Sequence, residues 1–433
     1  MKRRDFLKNG TALAAGAWLA SSGVSFGEQS TWTKEMPGTK GLNFPIRAIT
    51  KPPGTHWFGY YDKLELDPTS RYALVMKANF DQRHPEPDDK VEIFMVDLED
   101  DDRWTKLGES VAWGWQQGCL LQWIPGSKTD VIWNDREGDQ FVSRIVNTQT
   151  GAMRTLPKPI YAISPDGKWA ISTDFTRIDL MRPGYGYAGG KTTFDAFKAP
   201  KEVGIFWMDL ETGQDKMIAS LDEISKIPHL GKDVSGNFHW FNHLLVNTDG
   251  TRINFLHRWR RVPARESARN NDWVTRMFTC DPDGGNPFII DPSGYTSHFI
   301  WRDPNHICAW TRPEGAKYHR FYLLEDKTGK ATVVGPEKMT LNGHNTYLPN
   351  RNSEWILCDT YPDKDRYQWM YLYHVPSDRR VEIGQFFEPT KFVGEWRCDL
   401  HPRSSSDGKK IMFDSTHSGS RQLYLVDLSD FDG

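Results

Sequence analysis

Five of the thirteen histidines share one setting: His56, His239, His298, His344 and His401 each stand at the start of a short extended segment. Trp57, Trp240, Trp301 and Tyr347 follow closely behind four of them. Residues that recur once per structural unit meet if the units are arranged around an axis. Neutral imidazoles take up protons and bind divalent transition metals. Guanidiniums and phenols lie between the histidines, as Arg182-Pro183-Gly184-Tyr185-Gly186-Tyr187 and Arg258-Trp259-Arg260-Arg261. A guanidinium pairs with a carboxylate. Imidazole, guanidinium and phenol at one channel mouth suit an anionic sugar. His239, Arg182, Tyr185 and Arg258 are therefore the candidate catalytic residues. His298, His344 and His401, on consecutive units, are the candidate ligands for Mn²⁺ or Zn²⁺. The other role open to each histidine is a hydrogen-bond clip between units. The sequence has no Gly-rich phosphate loop, no Gly-x-Ser-x-Gly elbow and no His-Glu-x-x-His helix, the signatures of other chemistries. No organic cofactor is expected.

The elements that must position these residues repeat. An alternating strand ending in Asp, Val91-Glu92-Ile93-Phe94-Met95-Val96-Asp97, returns at 141–147, 204–209, 276–281, 320–326, 369–374 and 422–427. The copies lie roughly 45 to 70 residues apart, the period of propeller blades. Hairpins with turn chemistry precede them, at Asp67-Pro68-Thr69-Ser70, Ser164-Pro165-Asp166-Gly167, Asn247-Thr248-Asp249-Gly250 and Ser406-Asp407-Gly408, where Asp and Gly favour tight turns. One further strand follows most copies. The pattern predicts an all-β fold: a seven-bladed β-propeller with four antiparallel strands, a to d, per blade. After Asp427 too little chain remains for the last strand, while 44–50 has strand character. The N-terminal strand is thus expected to close the last blade and remove its open edge.

In such a fold strand a lines the channel. The d–a and b–c loops share one face, and the a–b and c–d turns share the other. The five histidines and the charged b–c loops fall on the first face. The longest insertion, 176–199 in blade 3, falls there too, and long loops in compact domains are often functional. The site is expected on that face, over the channel.

The chain opens with Arg3-Arg4-Asp5-Phe6-Leu7-Lys8, a short apolar run, then small residues. This resembles a twin-arginine export signal over 1–27. A linker over 28–43 and one propeller domain over 44–433 would follow, giving a periplasmic or secreted protein without stable membrane insertion. The five cysteines are widely spaced, with no Cys-x-x-Cys pair, and are read as buried thiols. The net charge of −3 argues against nucleic acid as a partner, because phosphate binding needs clustered Lys and Arg. Aromatic residues make up 13% of the chain, which favours cross-strand packing and, secondarily, stacking on sugars. A monomer is expected.

A propeller with this rim resembles the propeller polysaccharide lyases, nearest the oligogalacturonate lyases, with a general similarity to Tol-type periplasmic propellers. The resemblance implies β-elimination on an acidic oligosaccharide, with metal ligands drawn from channel-mouth histidines. Those lyases carry Gln-x-x-His-x-His, whereas this chain reads Arg397-Cys398-Asp399-Leu400-His401. Arginine neutralisation by Arg182 or Arg258 is the metal-free alternative. Two other readings stay open. One is a glycoside hydrolase, for which Asp135 and Asp359 are the candidate carboxylates. The other is a non-catalytic carbohydrate- or protein-binding propeller.

Overall fold

The recurring strand is the third of four in each of seven antiparallel sheets in the computed structural model, which describes residues 30–267 and 272–432. The export signal expected over 1–27 lies outside the described residues. Blade 1 comprises Thr55–Trp57, Tyr72–Ala78, Val91–Asp97 and Arg103–Ser110. Blade 2 comprises Gln122–Trp123, Asp130–Glu137, Gln140–Asn147 and Met153–Leu156, and blade 3 Ala162–Ile163, Trp169–Ser172, Gly204–Asp209 and Asp215–Ser220. Blade 4 has the longest strands, Phe238–Val246, Ile253–Arg260, Val274–Cys280 and Phe288–Gly294. Blade 5 is built from Phe299–Asp303, His306–Thr311, Arg320–Glu325 and Ala331–Val334, and blade 6 from Asn345–Tyr347, Trp355–Asp359, Tyr367–His374 and Arg379–Phe387. Blade 7 takes Arg403–Ser404, Lys410–Ser415 and Gln422–Asp427 from the C-terminal end of the chain.

The N-terminal strand Ile46–Ala48 completes blade 7, with Ile46 opposite Val426, Arg47 opposite Leu425 and Ala48 opposite Tyr424. The ring is thereby closed by residues far apart in sequence. Upstream, Thr39–Lys40 adds a fifth strand to blade 6 by pairing with Phe386 and Gln385.

The turns away from the site follow their side-chain chemistry. The Asp67 carboxylate accepts hydrogen bonds from the backbone N–H groups of Thr69, Arg71 and Tyr72, an Asx-type cap that fixes the a–b hairpin. Apolar side chains from neighbouring blades pack face to face between the sheets. Trp57, Trp113, Trp115, Trp123 and Trp133 are fully buried there, in blades 1 and 2. All five cysteines are buried with free thiols. Among the described residues no helix is long and apolar enough to cross a membrane.

The blade 3 insertion folds back over the channel mouth. Its helix, Phe175–Met181, starts at Asp174, whose side chain accepts from the Arg177 N–H. Buried Arg177 ties the insertion to blade 4 by donating to the His239 carbonyl at 2.8 Å, and braces the insertion's own far end by donating to the Lys198 carbonyl at 2.7 Å. The chain then doubles back so closely that a Cβ on Gly186 would lie 2.1 Å from the Asp179 amide nitrogen. This return delivers Arg182 and Tyr185 to the rim.

Candidate functional site

Tyr61 of blade 1 locates the centre of the site. Its ring meets His243 of blade 4, His298 at the entry to blade 5, His344 at the entry to blade 6 and His401 at the entry to blade 7, at centroid distances of 5.7, 6.1, 5.1 and 6.2 Å. Only a residue near the axis of the ring reaches so many blades. The His298 and His344 rings are 4.0 Å apart, and those of His344 and His401 are 4.2 Å apart. The d–a position therefore gathers the three candidate metal ligands, all of them buried.

Asp359, at the end of strand b in blade 6, holds two of these histidines in place. Its carboxylate accepts the backbone N–H of His344 at 2.6 Å and that of His401 at 3.1 Å. It also meets His344 Nδ1 at 3.0 Å, which assigns that proton to Nδ1 and leaves the Nε2 lone pair free. Gly343 permits this approach, since a Cβ there would sit 1.8 Å from the Asp359 carbonyl oxygen. His401 adopts φ +43°, a left-handed conformation rare outside glycine and frequent where a site stores strain.

Three potential ligand atoms, one each from His344, Asp399 and His401, lie within 4.8 Å of one another. His344 Nε2 and both ring nitrogens of His401 are buried without a hydrogen-bond partner. Orphaned buried polar atoms of this kind are costly unless something binds them. The donor set, two imidazoles and a carboxylate, fits a divalent transition metal. His298 borders it, with Nδ1 3.1 Å from Asn342 Oδ1 and Nε2 3.4 Å from the Tyr361 hydroxyl. Burial holds the pKa values of His298 and His401 well below the ordinary imidazole value, with neighbouring His344 adding to the effect. Both are therefore neutral, as a metal ligand must be.

His243 arrives by a bulge. Strand a of blade 4 pairs in register as far as Asn242 and resumes at Leu245. The irregularity turns His243, at φ +50°, toward the axis. Its Nε2 lies 3.5 Å from Asp62 Oδ2, and Asp62 is in turn 3.2 Å from Lys63 Nζ. Burial lowers the His243 pKa to about 4 against the opposing pull of Asp62.

Arg182 and Arg258 converge beside this group. Both donate to the Asn242 side-chain oxygen, at 3.4 and 2.6 Å. Neither has a carboxylate partner among the described residues. Arg258 also donates to Thr275 Oγ1 at 3.1 Å, and burial, then the charge of Arg182, pulls its pKa down. A buried cation without a counter-ion is costly, and with half-buried Arg182 beside it Arg258 is set for an anion. Both arginines line an open cavity of about 1020 Å³, together with Tyr185, Trp273, Tyr361 and Arg397. Its floor is a polar layer over the histidines. Arg397 donates to the Tyr185 hydroxyl at 2.8 Å and pairs with Asp399 at 2.9 Å, while Tyr361 reaches His298.

Against solved structures, the chain superposes on an oligogalacturonate lyase from Vibrio parahaemolyticus with a TM-score of 0.61 at 13% identity, covering 92% of this chain and 98% of that one. It also superposes on an oligogalacturonate lyase in complex with manganese, with a TM-score of 0.63 at 15% identity, covering 93% and 98%. At such identities the likeness is one of fold. No family model and no curated protein matches the chain.

Of the residues singled out in the sequence, Arg182, Tyr185, Arg258, His298, His344 and His401 come together. His239 does not join them. Arg276 Nε donates to His257 Nδ1 at 3.0 Å, so His257 carries its proton on Nε2 and gives it to His239 Nδ1 at 2.9 Å. His239 in turn donates from Nε2 to the Val234 carbonyl at 2.9 Å. Both of its nitrogens are thus committed to a structural relay. His56 is likewise a clip, its Nδ1 2.9 Å from Gln422 Oε1 of blade 7. Asp135 and Asp359 do not line the cavity. Asp135 is engaged with Arg144, and Asp359 with the two histidines. Tyr60, Tyr61, Asp62 and Lys63, which follow strand a of blade 1 as one run, went unread in the sequence, as did His243 and Asp399. The two aromatics beside an acid and a base were the available signal.

Proposed function

We propose that the protein is a lyase that cleaves uronic-acid oligosaccharides by β-elimination beneath this cavity. The observation that carries the reading is the convergence of Arg182 and Arg258 on Asn242 with no carboxylate partner among the described residues, directly beside a neutral His243. The fold likeness to oligogalacturonate lyases supports it.

In this reading Arg182 and Arg258 bind the sugar carboxylate and spread its charge, which acidifies the proton at C5. His243 Nδ1 takes that proton, while Nε2–H faces Asp62, whose carboxylate stabilises the imidazolium that results. The C5–H electrons form the C4–C5 double bond, the C4–O4 bond breaks, and O4 leaves with a proton from solvent water, to which the His243 imidazolium then returns its own. His344, His401 and Asp399, with His298 alongside, would hold a divalent cation. When bound, the cation supplies a further positive charge to the carboxylate. Asp399 stands two residues before His401, the spacing of the paired histidines in the lyase pattern, so a carboxylate replaces an imidazole in the set. Tyr185, Tyr361 and Arg397 cover the histidines, so substrate binding displaces this layer.

The chain is further proposed to reach the periplasm or exterior by the twin-arginine route. Replacing Arg3 and Arg4 by Lys should then keep it inside the cell.

The test of the activity is incubation with galacturonate, glucuronate and neutral oligosaccharides, with and without Mn²⁺. Ultraviolet absorbance from the new double bond, with products whose masses sum to that of the substrate, supports elimination. Products heavier by one water in total would mean hydrolysis and overturn the reading.

A further inference from the structure

Blade 5 and the loop that enters it from blade 4 present a wall of rings to one side of Arg182 and Arg258. Trp310 and His319 stack with centroids 6.4 Å apart and planes at 16°. Tyr295 meets His319 edge-on at 5.3 Å. All three line the cavity. Tyr295 bridges Thr275, the strand partner of Arg258, so it stands two strand spacings, roughly 10 Å, from that arginine. Tyr295 is 53% exposed, so its ring is left open on a concave surface and is not spent on the core. Arg312 lies 4.7 Å from the Tyr295 centroid and has no ion-pair partner among the described residues. A cation held over an aromatic ring keeps its N–H donors available for an acid. The cavity, about 1020 Å³, stands at the upper end of the roughly 300–1,000 Å³ typical of small-molecule sites. One sugar bound at Arg182 and Arg258 would leave this wall empty.

We propose that Tyr295, His319, Trp310 and Arg312 form an outer subsite for a further acidic sugar of the same chain, two or more residues along from the one held at Arg182 and Arg258. The rings would take the C–H face of the pyranose and Arg312 its carboxylate. The identity of the sugar rests on the lyase reading above. The subsite makes the protein selective for oligosaccharide length: a chain long enough to span from Asn242 to blade 5 binds at both ends, and a short one does not.

The experiment compares a galacturonate disaccharide with the tetrasaccharide, and uses cellotetraose as the neutral control. Affinity is read by calorimetry in a His243→Gln background, and turnover by unsaturated product in the parent protein. The tetrasaccharide should bind about tenfold more tightly than the disaccharide, the worth of one ring face and one guanidinium contact. Tyr295→Ala and Arg312→Gln should each remove most of that advantage and leave disaccharide affinity unchanged, while Tyr295→Phe should retain it. Equal affinity for the two lengths, equal weakening of both by the variants, or equal binding of cellotetraose overturns the subsite. Length-dependent binding without unsaturated product would leave the subsite standing and remove the lyase reading. Cleavage indifferent to length and to both variants would do the reverse.

Discussion

Arg182 and Arg258 donate to the same atom, Asn242 Oδ1, at 3.4 and 2.6 Å. Two positive charges share one neutral acceptor, and among the described residues no carboxylate pairs with them. A fold selected for stability alone would have paired or removed them. Arg258→Met is therefore expected to hold or raise the thermal midpoint, because it deletes an uncompensated buried charge while keeping much of the volume. The same change should lower turnover about 100-fold or more, the scale of losing a donor aimed at developing charge. A midpoint that falls together with activity would assign Arg258 to the scaffold.

The cation site makes a separate prediction. His401→Ala removes a ligand whose ring nitrogens have no hydrogen-bond partner, so it costs little in stability. Asp399→Asn keeps the shape and removes the charge. Each should weaken Mn²⁺ binding about 10- to 100-fold or more, the range seen even for residues that only support a ligand. Dialysis against a chelator should reproduce the loss of activity, and added Mn²⁺ should restore it in the parent protein but not in His401→Ala. Full activity in protein shown to be metal-free would leave the arginines as the sole source of positive charge.

His243 and His239 are four residues apart on one strand and should behave as opposites. His243→Gln is expected to cut turnover about 100- to 10,000-fold, the usual worth of a general base, with substrate affinity retained. His239→Ala orphans His257 Nε2 and the Val234 carbonyl, at about 1–3 kcal/mol for each group left unpaired. It should lower stability, while the folded fraction keeps its kcat and KM. The two effects are separated by combining urea denaturation with steady-state kinetics.

That contrast also shows how far the sequence could be read. The seven strand copies were visible because each blade repeats the same turn and strand chemistry. The closing strand was visible because the last unit lacked one. His298, His344 and His401 were found because the d–a loop places one residue per blade at the channel. The same rule picked His239, since nothing in the local sequence announces that strand a of blade 4 bulges after Asn242 and presents His243 instead. Asp399 and the run from Tyr60 to Lys63 act through contacts with distant blades. Such contacts have no period and leave no local pattern.

His56 is the clip whose chemistry is easiest to isolate. It is buried and bonded to Gln422 across the join of blades 1 and 7. Burial, with Lys77 adding, lowers its pKa from 6.5 to about 4, against the opposing hydrogen bond to Gln422. Below pH 6.5 the unfolded chain takes up a proton here that the folded chain refuses until about pH 4. The contribution of His56 is therefore fully present above pH 6.5 and is lost as the pH falls toward 4, at up to about 1.4 kcal/mol per pH unit. Other buried groups titrate in the same window, so the comparison must be with a variant that differs at this residue alone. His56→Gln removes the titration and keeps an amide able to donate to Gln422. Urea unfolding of both proteins from pH 7.5 to 4.5 should give curves that converge or cross as the parent loses stability faster. Parallel curves across that range would show that His56 titrates alike in the folded and unfolded chain, and that burial does not hold it as a neutral clip between the blades.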